Sequence, residues 1–126
     1  GGEEHKYSGS DNVDEVGWYR SNGVDETHLV GKKKANGFGL YDMSGNVYEW
    51  VWDAAIFDED WELKAESLYA SSSRVDPVVD ASSPKRINRG GSWYYDARST
   101  RVSVRNGDYA SDRYSNQGFR FLRAHH

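Results

Sequence analysis

Cysteine is absent from this chain of 126 residues, proline occurs twice and methionine once. Without a thiol there is no disulfide, no zinc–thiolate centre and no cysteine nucleophile. The absence assigns no compartment, because surface proteins also dispense with cysteine. No stretch approaches the roughly 20 apolar residues of a membrane-spanning helix. The opening Gly1-Gly2-Glu3-Glu4 has neither the basic nor the apolar region of a signal peptide. Basic residues are outnumbered by acidic ones, 16 to 20. A formal net charge of −4 gives no general attraction to nucleic acid or anionic lipid. Lys32-Lys33-Lys34, beside Gly31, is the one basic run and reads as a solvated turn. Neither a nucleic-acid partner nor membrane insertion by this segment is expected.

Aromatic residues are abundant. They make up 14% of the chain, with 5 Trp and 9 Tyr, against a hydrophobic fraction of 37% and a mean hydropathy of −0.90. Disordered chains are poor in aromatics, and each large ring buries much surface. The composition predicts an ordered but thin core in one small domain, or part of one, spanning residues 1–126. His125-His126 is compatible with the stub of a purification tag and carries no functional weight.

Helical patterning is confined to Asp58–Tyr69. Asp58, Glu59 and Asp60 suit a helix N-terminus, and Trp61, Ala65, Leu68 and Tyr69 share one face. Ser71-Ser72-Ser73 then breaks the pattern, and 76–84 reads as loop. Alternation predicts three half-buried antiparallel strands: Val47–Trp52, Thr100–Arg105 and Gly118–Arg123. Ser44-Gly45-Asn46 and Asn106-Gly107-Asp108 are expected as turns. The expected architecture is α+β, a small twisted antiparallel sheet carrying long irregular loops.

Three blocks occur in order: Asn36-Gly37-Phe38-Gly39-Leu40-Tyr41-Asp42-Met43-Ser44-Gly45-Asn46-Val47-Tyr48-Glu49-Trp50, then Arg89-Gly90-Gly91-Ser92-Trp93, then Gly118-Phe119-Arg120, with Arg101 and Arg105 before the last. Together they resemble the second half of the formylglycine-generating enzyme (sulfatase-modifying factor) family, from about Tyr7 onward. The resemblance implies a C-type lectin-like fold of that type, with this chain as its C-terminal half. The family's helical first half has no counterpart here, so one apolar sheet face is expected to lie uncovered.

In catalytic members two cysteines after the Gly-Gly-Ser segment bind copper(I). Matching from Ser92 places Tyr95 and Thr100 at those positions. Their oxygens do not replace soft thiolates, so no copper and no oxidase activity are expected. Other chemistry finds no better footing. Ser92 has no partner base, and His5 and His28 are isolated. The Asp58–Glu62 acids suit a solvated helix start. Gly90-Gly91-Ser92 lacks the lysine and spacing of a phosphate loop, and no carboxylate pair is singled out for glycoside hydrolysis.

The resemblance also implies a structural calcium ion held by the side chains of Asp42 and Glu49 and the carbonyls of Gly45 and Val47. A tight turn flanked by two hard carboxylates suits a cation that takes six to eight oxygens. An ordinary Gly-Asn turn with carboxylates facing water is the alternative. A second family site, at Asn12, Val13 and Asn22, matches too loosely to be assigned.

Between the scaffold residues of the last quarter lie Tyr94, Tyr95, Asp96, Arg98, Ser99, Val104, Asn106, Gly107, Asp108, Tyr109, Tyr114, Ser115 and Asn116. This Tyr/Ser/Asn/Asp-rich set matches the usage of antibody-like paratopes. It resembles the variable proteins of diversity-generating retroelements, whose templates mutate the adenines of asparagine codons; every residue of the set is reachable that way. The expected function is a non-catalytic display domain that binds a protein or other surface ligand through residues 94–116. Tyr94, Tyr95, Tyr109 and Tyr114 would be exposed anchors, with Trp93 and Phe119 buried. A cell-surface or secreted location, bacterial or phage-related, goes with this reading, and a cytoplasmic one stays open. The alternatives are a non-catalytic accessory domain of the same family and an enzyme using another cofactor.

Overall fold

The computed structural model describes residues 4–64 and 82–121. Among these residues four strands form one curled sheet: β1 (Tyr48–Ala54), β2 (Lys85–Arg89), β3 (Arg105–Tyr109) and β4 (Gln117–Gly118), in the order β3-β2-β1-β4. The β2 strand pairs antiparallel with β1 and β3, whereas β4 runs parallel to β1. The sheet is thus mixed, not wholly antiparallel as its alternation suggests. Period-two patterning reports which face is buried and says nothing about strand direction.

The first expected strand is present, shifted to Tyr48–Ala54. The second is not. Residues Ala97–Thr100 form a 3₁₀ turn, and the strand begins only at Arg105. Asp96 explains the difference, since its Oδ1 accepts from Ser99 N at 3.2 Å and caps the turn. The Asn106-Gly107-Asp108 run, expected as a turn, is the middle of β3. Its glycine allows close packing: a Cβ on Gly107 would lie 2.6 Å from Ala55 Cβ and 3.1 Å from Phe57 Cζ. The third expected strand shrinks to Gln117–Gly118, and Phe119, Arg120 and Phe121 lie beyond it. Residues 122–126 fall outside the described part.

The helix expected at Asp58–Tyr69 is replaced, over Asp58–Lys64, by a turn closed by a Phe57–Leu63 bridge. Asp58 Oδ1 accepts from Asp60 N at 3.0 Å and Glu62 N at 2.9 Å. A short acidic side chain thereby takes the amides a helix would use, and Trp61 has φ 63°. The remainder of that segment, the Ser71–Ser73 breaker and most of the 76–84 loop lie outside the described residues. One short helix was not expected, α1 (Val13–Val16), capped by Asn12 Oδ1 on Asp14 N. Two apolar residues give too little period to detect.

The core is thin, as composition predicts. Tyr7, Val13 and Val16 form one cluster, with Tyr19 and Ala97 packed on it. Tyr48, Ala54, Ala55 and Ile87 are buried in the sheet. Polar residues finish the interior. Asn46, buried at φ 67°, accepts from His28 N at 2.9 Å and donates to His28 O at 3.0 Å. The expected turn at Ser44-Gly45-Asn46 is therefore a junction. Gly45 N donates to Gly90 O, Asn46 N to Trp18 O, and Trp93 N to Asn46 O.

Candidate functional site

That junction aims the Trp93–Tyr95 segment at the end of the sheet. Arg20 holds it from the other side: its backbone N donates to Tyr95 O, its Nε to Tyr94 O at 2.9 Å, and its guanidinium lies 5.5 Å from the Tyr94 ring centre. Successive edge-on contacts join the rings, with centroids 5.7 Å apart for Trp93–Tyr94, 5.2 Å for Tyr94–Tyr95 and 5.7 Å for Tyr48–Tyr95. Such pairs favour edge-to-face geometry and resist rearrangement.

The rings border a cleft of about 430 Å³. Seven of the expected binding residues line it: Tyr94, Tyr95, Asn106, Asp108, Tyr114, Ser115 and Asn116. Tyr48, Asn88, Trp93 and Gln117 complete the lining. From sequence Tyr48 belongs to an expected strand and Trp93 to the expected interior, and neither Asn88 nor Gln117 is singled out. The one available signal for Asn88 was an amide in the middle of an otherwise strand-like Lys85–Arg89. Asn88 is 0% exposed; its Nδ2 donates to Asp108 Oδ2 at 2.8 Å, and its Oδ1 is buried without a partner. Both amide atoms of Gln117 and the Trp93 indole nitrogen are also buried and unpaired. Buried polar groups are normally satisfied, so the floor of this cleft holds unused hydrogen-bonding capacity.

The remaining expected residues lie elsewhere. Asp96, Arg98 and Ser99 build the 3₁₀ turn, and Val104 N donates to Arg101 O. Gly107 packs on Ala55 and Phe57. Tyr109, 47% exposed, joins Phe57 and Trp61 around Lys85 Nζ, which lies 4.9 Å from its ring. The other three tyrosine anchors are exposed, Tyr94 at 50%, Tyr95 at 39% and Tyr114 at 54%. Trp93 is half-buried as a wall of the cleft. Phe119, expected inside, is 67% exposed and stacks edge-on with exposed Phe121. β4 ends before it, at Gly118.

Ser92 is buried and acts as a structural acceptor, for Tyr94 N and for Asn116 Nδ2, both at 3.3 Å. His28 stacks on Trp18 at 3.9 Å and its Nε2 contacts Gly23 O at 2.8 Å. Thr100 is buried, with Oγ1 donating to Ala97 O. Tyr48 shows the electrostatics of the cleft. Burial first, then the neighbouring Tyr95, pushes its hydroxyl up to about 12. The folded state thus holds this proton more tightly than the unfolded chain does. The associated stability is present below pH 10 and lost as pH rises from about 10 toward 12. Phenolate absorbance on a pH titration should show one tyrosine ionising last, and Tyr48→Phe should remove that step.

The residues matched to a calcium ion are partly engaged. Asp42 is buried at φ 55°; its Oδ2 accepts from Gly31 N at 2.8 Å, while its Oδ1 is buried without a partner. Glu49 takes a bidentate pair from Arg120, at 3.0 Å from Nε and 2.7 Å from Nη2. That hydrogen bonding holds the guanidinium above even its usual pKa. Asp42 thus keeps one unpaired oxygen while Glu49 is taken up by Arg120, and among the described residues no three acidic or histidine side chains gather to hold a metal ion. Asn12 and Asn22 are occupied by backbone and Asp14 partners.

Residues 1–125 match the sulfatase-modifying factor enzyme 1-like domain. The chain is 30% identical to the chaperone protein LppX of Paenibacillus barcinonensis, over 94% of this chain and 41% of that protein. It is 32% identical to the formylglycine-generating enzyme of Streptomyces coelicolor, over 79% of this chain and 31% of that one. Among solved structures, Treponema denticola variable protein 1 superposes with a TM-score of 0.74 at 33% identity, covering 94% of this chain and 41% of the other. The chain thus spans about two-fifths of the length of LppX and of the variable protein, and 31% of the Streptomyces coelicolor enzyme. The α+β, C-type lectin-like architecture expected from sequence is the one observed, and the chain belongs to the sulfatase-modifying factor enzyme 1-like family.

Proposed function

We propose that this chain is a non-catalytic ligand-binding domain whose binding face is the cleft between β3 and the Trp93–Tyr95 segment. One observation carries the reading. Seven residues chosen for paratope-like composition, spread from 94 to 116, converge on one exposed cleft. The likeness to a protein named as variable supports it, as does the absence of cysteine from a family whose oxidases use copper thiolates. Tyr95 then occupies a former copper-ligand position and serves recognition instead. The ligand is a protein or other surface molecule met outside the cell. Peptides selected from a displayed random library on the chain, with counter-selection on the Tyr94→Ala/Tyr114→Ala double variant, test the reading. Binders that prefer the parent chain are expected; a selection that never distinguishes the two contradicts it.

A calcium ion at Asp42 belongs to the same proposal as a brace for the Gly45 junction. The unpaired, buried Asp42 Oδ1 supports it, and the Arg120–Glu49 pair opposes it. Removing the competing charge should favour the ion. Arg120→Ala is expected to tighten calcium binding by roughly tenfold or more, read by calorimetry and by a larger calcium-dependent rise in Tm. Equal responses of the parent and variant would leave Glu49 outside any calcium site.

A further inference from the structure

The described lining of the cleft contains four tyrosines, one tryptophan and five neutral polar side chains, but only one charged group, Asp108. No lysine, arginine or histidine stands among these residues. Asp108 is held from behind by the fully buried Asn88, whose Nδ2 fixes one carboxylate oxygen. The cross-strand neighbour of Asp108 is Arg86, which forms no ion pair with it. Its Nη1 donates to Ser83 O at 2.6 Å and Lys85 O at 3.1 Å. An oriented carboxylate beside several aromatic rings is the chemistry that recognises organic cations. The ring quadrupoles attract positive charge, and the carboxylate accepts the guest's N–H groups.

We infer that the cleft seats one cationic side chain of a protein ligand, an arginine guanidinium or a lysine ammonium, against the tyrosine rings and the Asp108 carboxylate. The inference rests on the binding-face reading and names the chemistry of its guest. The volume, about 430 Å³, falls within the roughly 300–1,000 Å³ typical of clefts that hold small groups. Guanidinium and ammonium groups are donors only, which suits the Asp108 carboxylate that lines the cleft. Beside the cleft, Asp112 first, then partial desolvation and Asp108, raise the Tyr114 hydroxyl above its ordinary value. The Tyr94 ring already takes the Arg20 guanidinium, so the exposed rings left for the guest are those of Tyr95 and Tyr114.

The test titrates the 126-residue chain with N-acetyl-arginine amide, N-acetyl-lysine amide, the neutral isostere N-acetyl-citrulline amide, and methyl mannoside, following backbone amide shifts. The two cations should move the Tyr95, Tyr114 and Asp108 signals saturably, about tenfold more tightly than citrulline, and less so as salt rises. Asp108→Asn should bring arginine down to the level of citrulline. Asp60→Asn, which removes the same charge from the Phe57–Leu63 turn, should change nothing. Equal binding of arginine and citrulline, or stronger binding of the mannoside, overturns the inference without any variant. The selected peptides separate it from the parent reading. Cleft-dependent peptides that insert a neutral side chain sink the cation and leave the binding face standing, whereas peptides indifferent to the cleft sink both.

Discussion

Gly45→Ala should unfold this chain at a markedly lower temperature than the same change at Gly39. Both glycines have positive φ, 83° and 74°, so both substitutions strain the backbone by about 1 kcal/mol or somewhat more. Space separates them. Around Gly39 nothing lies within 4 Å of the added methyl, whereas at Gly45 it would lie 2.7 Å from Trp18 N and 2.9 Å from Trp18 C, and closer still to Trp18 O. Overpacking against backbone adds about 1–3 kcal/mol. The total for Gly45→Ala is about 3 kcal/mol, or roughly 10 °C in Tm for a chain of this size. Gly39→Ala should cost about a third as much. The Gly45 change should also weaken ligand binding, because the same junction bonds Gly90 and Trp93 and so sets the cleft wall. Thermal unfolding of both variants checks this, and equal Tm losses would mean that the junction is not tightly packed.

Tyr94→Ala and Tyr114→Ala should each weaken a cleft-selected ligand by about 2 kcal/mol, near 30-fold, with stability changes of about 1 kcal/mol or less. Both rings are about half exposed and border the cleft. Truncating either removes rigid contact area that carries little conformational entropy. Tyr114 is the freer of the two, with its hydroxyl on Asp112 at 3.3 Å. Tyr94 also supports Trp93, Tyr95 and Arg20, so its loss should perturb the cleft more widely. Phe119→Ser, on an exposed side chain that does not line the cleft, should leave affinity within twofold or so. Affinities measured on a single selected peptide would show the contrast.

These expectations draw unequally on the sequence. The block around Asn36–Trp50 and the Gly-Gly-Ser-Trp run were enough to recognise the fold, because special backbone positions such as Gly45 admit few residues. Composition singled out Tyr94, Asn106 and Tyr114, which line one cleft, together with Asp96, Arg98, Ser99, Val104, Gly107 and Tyr109, which do not. Secondary structure between them was not legible. Asp96 and Asp58 divert the backbone into side-chain-capped turns, and local hydrogen bonding of that kind leaves no periodicity to read. Gly107 misled in the opposite direction, since a glycine flanked by Asn and Asp signals a turn until the neighbouring Ala55 and Phe57 are known. Asn88 and Gln117 were invisible because burial of a lone amide is a tertiary property. The exposure of Phe119 follows from the sheet's short β4 edge, which alternation alone could not reveal.

The central claim is that ligands meet this chain at the cleft. Hydrogen-exchange protection mapped with and without a library-selected peptide tests it most directly. The account predicts slowed exchange of amides from Trp93 to Asp96, from Asn106 to Asp108 and from Tyr114 to Gln117, with the Phe38–Asp42 and Phe119–Phe121 segments unchanged. Protection centred on Phe119 and Phe121, with the cleft amides exchanging as before, would contradict it.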